Sequence, residues 1–253
     1  MNATARRAEI SDLLRTRPVG VEELAARFGV TASTIRRDLS ALTDSGAVVR
    51  TYGGALAAGR EEQSLHERQT IAAPQKAAIA RAAERLIEPG QFLLLDAGTT
   101  AGALASRLTS WSGISVATTG LTTLTALADA DGVELVALGG AVRHISHGMV
   151  GPLTEAALAR LTADSAFLSA DGVDAVRGLC ESTAEQASVK RRMIEQARRV
   201  VVLADASKLG GNGSHWWSEL PDQWTLITDA SAGAAQLAPF RELPGVTVVV
   251  AGD

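Results

Sequence analysis

VEELAARFGVTASTIRRDLSALTDSGAVVRTYGG, residues 21–54, is the stretch whose spacing organises the N-terminal part of the chain. Val21, Leu24, Ala25 and Phe28 recur at i, i+3, i+4 and i+7, which places them on one stripe of a helix. Glu22 and Glu23 fall in its first turn, where the helix dipole favours negative charge. Gly29 breaks that helix. Thr31 suits the N-cap of a second helix, in which Ile35, Leu39 and Leu42 share one face and Ser33, Arg36, Arg37 and Ser40 the opposite one. Ile10, Leu13 and Leu14 upstream supply a third helix, so three short helices are expected to enclose a small core around Phe28 and Val30. Beyond Gly46, AVVRTYGGA alternates briefly and ends in a glycine pair, the pattern of a two-stranded wing that carries Arg50.

A polar, doubly basic helix face left free by such a core fits the major groove of duplex DNA, because arginine's planar fork of donors reaches base edges and phosphates alike. Thr31, Ser33 and Thr34 stand where the first turn of a recognition helix meets bases or phosphates, Arg36 and Arg37 follow, and Arg50 would ride the wing near a phosphate or the minor groove. The plainer alternative, arginines that only solvate a surface helix, has to contend with the charge distribution. Residues 1–60 hold nine Arg against six Asp or Glu, a net of +3, whereas the whole chain carries −4, which leaves −7 for the remainder. A local basic unit on an acidic body suits a module that grips phosphate by releasing counterions.

With 253 residues, 46% hydrophobic and 21% charged, the chain has enough apolar content for one small and one larger domain and is not a disordered protein. Cys180 is the single cysteine, which excludes an intramolecular disulfide and fits a reducing compartment. No apolar run reaches the length of a membrane span, and MNATARRAEI lacks the apolar core of a signal peptide, so a soluble, cytoplasmic protein is expected. His144 and His147 lack a cysteine partner or an evident third ligand; neither a metal nor a cofactor is expected, and the pair could line a pocket entrance.

The expected division is a winged helix-turn-helix domain over 1–57, a charged, aperiodic linker over 58–73 and a larger domain over 74–253. Pro74 suits the first turn of a helix with Ile79, Ala83, Leu86 and Ile87 on one side. Apolar runs at 91–96, 114–119, 133–138, 165–170, 200–205, 225–229 and 246–251 then alternate, for the most part, with helix-like segments. They are rich in Val and Leu and lack polar alternation, as strands do when helices cover both faces of a largely parallel sheet. The larger domain is therefore expected to be a Rossmann-like three-layer α/β fold.

Ligands of such sheets sit beyond the carboxyl ends of the strands. Asp96-Ala97-Gly98-Thr99-Thr100 follows the first strand and opens a helix, so its amides and hydroxyls could cradle a phosphate, although a strand-end Gly and Thr can equally serve only to turn and cap the chain. Gly139 and Gly140 end the third strand and would permit close backbone approach, Asp171 and Asp174 offer carboxylates to sugar hydroxyls, and Lys190 and Lys208 could balance a phosphate or form ion pairs. Gly210 to Gly213, leading to Trp216 and Trp217, could form a lid, an oligomer contact or a surface loop.

ELAARFGVTASTIRRDLSAL followed by GAVVRTYGGA resembles the N-terminal winged helix of the DeoR family of bacterial transcriptional regulators. HERQTIAAPQKAAIARAAERLIEPG, LLLDAGTT, LGGAVR, SADGVD, AEQASVKRRMI and VVLADASKL resemble, in order, that family's C-terminal sensor domain, so the likeness spans nearly the whole chain. The resemblance implies a sensor similar in fold to ribose-5-phosphate isomerase and coenzyme A transferases. It also implies a repressor, less often an activator, of carbohydrate metabolism whose affinity for double-stranded operator DNA is set by a phosphorylated sugar or related metabolite. Asp96, Gly98, Thr99, Thr100, Gly139, Gly140, Asp171, Lys190 and Lys208 fall on effector-pocket positions by this resemblance, with Lys76 a less secure match. Thr119 departs from the family, whose members usually carry a Thr-Asn pair there, and could alter which effector is held; Tyr52 stands where His is frequent, and Gly20 replaces a hydroxyl N-cap. One reading head per chain implies at least a dimer on paired half-sites. The competing expectation is a sugar-phosphate isomerase or transferase that uses Asp96, Asp171, Glu185 or Lys190 for proton transfer, which would leave the basic head without a purpose.

Overall fold

The computed structural model describes residues 2–16, 19–44, 48–51, 54–57, 62–210 and 214–252. The N-terminal unit, here called the head, runs α1 (Ala3–Thr16), β1 (Val19–Gly20), α2 (Val21–Phe28), α3 (Ala32–Asp44), β2 (Val48–Thr51) and β3 (Gly54–Ala57). Gly29 ends α2 in the left-handed region at φ 62°, ψ 35°, and its N–H caps the carbonyls of Ala25 and Ala26. Thr31 then opens α3, its Oγ1 accepting the N–H of Thr34 at 3.3 Å. Ile10, Leu14, Leu24, Ile35, Leu39 and Val48 form the head's buried core, while Phe28 and Val30, expected at its centre, are only partly buried against it. Strand β3 pairs antiparallel with both β2 and β1, with Arg50 opposite Ala55, so the wing is a three-stranded sheet rather than two. The side chain of Arg50, together with Gly46, Tyr52 and Gly53, lies outside the described residues.

The body follows with α4 (Leu65–Thr70), α5 (Ala73–Glu84), β4 (Phe92–Leu95), α6 (Thr99–Leu108), β5 (Ile114–Thr118), α7 (Leu121–Leu127), β6 (Val133–Ala137), β7 (Ala141–Arg143), β8 (Gly148–Val150) and α8 (Pro152–Leu158). It continues through β9 (Ala163–Leu168), β10 (Gly172–Asp174), β11 (Gly178–Glu181), α9 (Ala184–Glu195), β12 (Ala197–Leu203), a 3₁₀ turn (Ala206–Lys208), β13 (Trp216–Ser218), β14 (Trp224–Asp229), α10 (Ala234–Arg241) and β15 (Val246–Ala251). Seven strands form one parallel sheet in the order β15-β14-β12-β9-β4-β5-β6, and they are the seven expected apolar runs.

Successive side chains of these strands enter opposite cores. Leu93, Leu95, Phe167, Val201 and Leu203 pack against Ile79 of α5 and Leu104 and Leu108 of α6. Leu94, Ala166, Leu168, Val200 and Val202 pack on the other face against Leu158, Val189, Met193, Leu237 and Phe240 of α8, α9 and α10. Both faces are covered, which is why the strands read as unbroken apolar runs. Within the stretch expected to be a linker the structure holds a helix: Ser64 and Glu67 form a reciprocal capping box that starts α4, and Leu65 is buried.

The sheet's topology fixes where a ligand can sit. From β4 the chain builds outward through β5 and β6, then returns to lay β9, β12, β14 and β15 on the other side of β4. The strand order therefore reverses between β4 and β9, and loops leaving their carboxyl ends diverge to opposite faces, opening a crevice there. Two small antiparallel units overhang this end: the β7–β8 hairpin and the β10-β11-β13 sheet. Trp216 and Trp217, foreseen as part of a lid, contact or loop, belong to β13, and Trp217 stacks under the Arg177 guanidinium at 4.1 Å; residues 211–213 lie outside the described residues.

Candidate functional site

Two sites emerge, one on each unit. On the head, α3 buries Ile35 and Leu39 and turns Ser33, Arg36 and Arg37 outward, all three exposed, with Ser40 half-buried. The first turn is knit by hydroxyls, Thr31 Oγ1 lying 2.9 Å from Ser33 Oγ and 3.0 Å from Thr34 Oγ1. Arg36 is 61% exposed and 3.7 Å from Glu22, itself 81% exposed, a solvated ion pair that contributes little. The helix is fixed instead from behind. Asp38, 2% exposed, accepts from Arg6 Nε at 2.6 Å and Arg7 Nε at 2.9 Å and so bolts α3 to α1. Burial alone would raise the Asp38 pKa; the arginine hydrogen bonds and charges outweigh it and hold the carboxyl below its ordinary range.

On the body, the crevice between the ends of β4 and β9 is a pocket enclosing about 570 Å³, part of it open to solvent. Asp96, the first residue after β4, spans the switch point: its Oδ2 accepts the N–H of Ser169 at 2.8 Å and an ion pair from Lys190. Lys190 also donates to the Ser169 carbonyl and lies 3.2 Å from Glu181. Burial works against charge on Lys190, but the two carboxylates outweigh it and keep its pKa above the ordinary lysine value. Glu181, on β11, is pushed up to about 8 by its own burial, with Lys190 opposing. Cys180 beside it is fully buried and its thiol is raised to about 12, first by burial and then by the Glu181 and Asp171 charges, so it is a packing residue with no reactive thiolate.

The pocket floor is Ala97-Gly98 and the first turn of α6. Gly98 adopts φ 124°, closed to other residues, and a side chain at Gly120 or Gly148 would strike Ala97 at 2.8 or 2.9 Å. The missing side chains let Gly120 and Gly148 pack closely on the loop, and Gly98, Thr99 and Thr100 at the N-terminus of α6 line the cavity. Opposite stand Arg68, Asp171 and Lys208. Lys208 Nζ is held by the Ala170 carbonyl at 2.6 Å, a contact that leaves its charge uncompensated. Arg68 NH1 is 3.5 Å from Asp171 Oδ1, while its Nε and NH2 are buried with no hydrogen-bond partner among the described residues. Ser169 Oγ and Gln186 Oε1, also lining the pocket, are likewise unpartnered. Such a concentration of unmet donors and acceptors is a surface that a ligand or ordered water can complete.

Of the sequence-predicted effector residues, Asp96, Gly98, Thr99, Thr100, Asp171, Lys190 and Lys208 meet in this one pocket, and the divergent Thr119 lines it too. Gly139 and Gly140 do not. Their close approach is to the protein itself: Gly139 O accepts from Thr154 Oγ1 at 2.7 Å, and a Cβ on Gly140 would meet Thr154 Oγ1 and the Val150 carbonyl. Lys76 is buried under α4, donating to the carbonyls of Arg68 and Ile71. His144 and His147 border a separate cleft between α4, α5, α6 and α7. Sequence reasoning missed Arg68, Glu181 and Ser169. Only Arg68 left a usable trace, the Ser64-to-Glu67 capping signature that announces its helix.

Residues 6–61 match the DeoR-like helix-turn-helix domain and residues 71–230 the DeoR C terminal sensor domain. The chain is 34% identical to a putative aga operon transcriptional repressor of Escherichia coli O157:H7, over 98% of its own length and 94% of that protein's. It is 33% identical to the transcriptional repressor AccR of Agrobacterium fabrum, over 89% of each, and 31% identical to the glycerol-3-phosphate regulon repressor of E. coli K12, over 84% and 85%. Among solved structures, ribose 5-phosphate isomerase A of Methanocaldococcus jannaschii aligns with 54% of each chain at 20% identity and a TM-score of 0.41. A DNA-reading head on an α/β body with a polar strand-end pocket defines a one-component transcription regulator. This chain belongs to the DeoR family of such regulators, and the isomerase alternative gives way to that membership. Among the described residues no helix is long and apolar enough to cross a membrane.

Proposed function

We propose that the chain represses a carbohydrate-metabolism operon and that a phosphorylated sugar or related metabolite, seated between β4 and β9, sets its affinity for the operator. The observation that carries this reading is what gathers around one cavity: Arg68 Nε and NH2 without partners among the described residues, the Lys208 ammonium held by a neutral carbonyl, and the N-terminus of α6. Guanidinium fork, ammonium and helix N-terminus all favour an anion of phosphate type. Asp171 and the hydroxyls of Thr99, Thr100 and Thr119 suit the sugar's hydroxyl groups. The name of one relative, the glycerol-3-phosphate regulon repressor of E. coli K12, concerns a phosphorylated metabolite of this kind.

In this reading Thr31, Ser33, Thr34, Arg36, Arg37 and Arg50 contact DNA. Asp96 and Lys190 shape the effector pocket rather than bind through free charges, and Gly139 and Gly140 keep the β6–β7 turn against α8. The working division remains 1–57 for DNA, 58–73 between, and 74–253 for the effector, in a cytoplasmic homo-oligomer of at least two chains. A thermal-shift panel of phosphorylated sugars tests the proposal, since a ligand at a hundred times its Kd adds about 2.7 kcal/mol to the stability of the state it binds. A hit that also changes operator binding in fluorescence anisotropy supports it. Melting unchanged across phosphopentoses, phosphohexoses and phosphotrioses would refute the effector class.

A further inference from the structure

We propose that Arg68 is the sensing residue of the pocket: a bound anion takes its guanidinium from Asp171, and the resulting shift of α4 carries occupancy to the winged helix. This rests on the effector-site reading above and supplies its regulation. The other cations at the pocket stand further along the chain, Lys190 on α9 between two carboxyl groups and Lys208 in the turn after β12. Arg68 alone among them comes from α4, the body's first helix and the one that follows the wing in the chain. Its hold on Asp171 is loose at 3.5 Å, and two of its nitrogens are buried without a partner. A buried donor in that condition carries a desolvation cost of about 1–3 kcal/mol, which a phosphate oxygen pair would remove through a bidentate contact.

Helix α4 has six residues, too few to persist by propensity, so its position is set by what grips it. At its C-terminal end the Lys76 ammonium caps the carbonyls of Arg68 and Ile71. Lys76 is itself crowded by cations, its pKa lowered to about 8 by burial first and then by Lys208, a repulsion that an incoming dianion relieves. At its N-terminal end Leu65 N–H donates to the Ile145 carbonyl at 2.7 Å, and Arg143 grips Glu62 with contacts of 2.6 and 3.1 Å. Arg143 also donates at 2.9 Å to Ser146, which lines the pocket. Glu62 follows the end of β3 at Ala57 by five positions, so the segment that α4 and Arg143 hold lies next in the chain to the wing. A ligand shifts an equilibrium only through a contact that differs between its states, and the Arg68 exchange from carboxylate to anion is such a contact.

The test uses full-length protein with glucose 6-phosphate, glycerol 3-phosphate and inorganic phosphate as probes, reading affinity by calorimetry and amide hydrogen exchange over residues 62–71. In the wild type the best probe should alter exchange across that segment. Arg68→Gln should bind it at least about tenfold more weakly, the equivalent of 1.4 kcal/mol, and lose the exchange response. Arg143→Gln should bind within about twofold of wild type yet lose the response at residues 62–65. Asp171→Asn, which frees Arg68 without removing it, should show the ligand-bound exchange pattern before any probe is added, an outcome that a folding defect in the Arg68 variant cannot mimic. Wild-type affinity and response in Arg68→Gln would overturn the proposal while leaving the pocket reading intact. Failure of all three probes, and of phosphopentoses and phosphotrioses with them, on the wild type would overturn both.

Discussion

Arg37 and Asp38 are neighbours in sequence with opposite fates, one exposed on the outer face of α3 and the other 2% exposed behind it. Their division of labour makes the head testable residue by residue. Arg37→Ala should leave the melting profile unchanged and weaken operator binding by about 1–3 kcal/mol, with a shallower dependence of affinity on salt. A gel-shift titration giving wild-type affinity at every salt concentration would remove Arg37 from the interface. Lys190 illustrates the converse. Read in sequence as a cation that could balance a phosphate or form an ion pair, it is buried between Asp96, Glu181 and the Ser169 carbonyl, so its first role is to pair with interior carboxyl groups, Asp96 foremost. Lys190→Met should therefore destabilise the body by about 3–5 kcal/mol, the usual consequence of stranding buried charge. If chemical denaturation showed the variant as stable as wild type, the ion-pair assignment would be wrong.

At the scale of elements, the α1–α3 junction sets how firmly the recognition helix is presented. Because the folded pKa of Asp38 lies below its unfolded value of about 3.9, the Arg6-Asp38-Arg7 cluster contributes stability that is complete above that value and is lost as pH falls through the folded pKa. Asp38→Asn should lower the head's calorimetric transition at pH 7 and flatten its fall on acidification below about pH 4; a transition as acid-sensitive as wild type would assign that limb to other groups. Elements also show what a sequence can and cannot disclose. The seven sheet strands were legible because a strand buried on both faces leaves a run such as FLLL or VVVL with no polar interruption. The β7–β8 hairpin and the β10-β11-β13 sheet were not: their strands span only three or four residues, too few to leave a periodic run, three of the five begin with glycine, and β13 joins β11 from nearly forty residues away. Much of the pocket lining could be anticipated because several strand ends carry Gly, Thr or Asp together and match family positions, whereas one such loop alone can serve only to turn and cap the chain. Arg68 could not, since a charged hexapeptide with a single buried Leu looks like solvated linker until its neighbours are in place. Gly139 and Gly140 show a related limit: a glycine announces backbone freedom but not what approaches, and at Gly140 it is Thr154, which also donates to the Gly139 carbonyl.

For the molecule as a whole, two separate sets of cores imply two separable stabilities. The head's buried apolar residues cluster apart from those on either face of the sheet, and a unit of roughly sixty residues buries too small a share of its surface to be more than marginally stable. All four tryptophans, Trp111, Trp216, Trp217 and Trp224, belong to the body, so their fluorescence reports its unfolding and is silent on the head. Calorimetry should accordingly resolve a lower transition with no fluorescence counterpart and an upper one that coincides with the tryptophan signal. A phosphorylated sugar near a hundred times its Kd should raise the upper transition by about 5–10 °C, as about 2.7 kcal/mol does for a domain of this size, whereas operator DNA should raise the lower one. Both ligands moving a single transition, seen alike by heat capacity and fluorescence, would mean that head and body unfold as one cooperative unit; the effector signal would then have to pass through a rigid junction in place of a displaced α4.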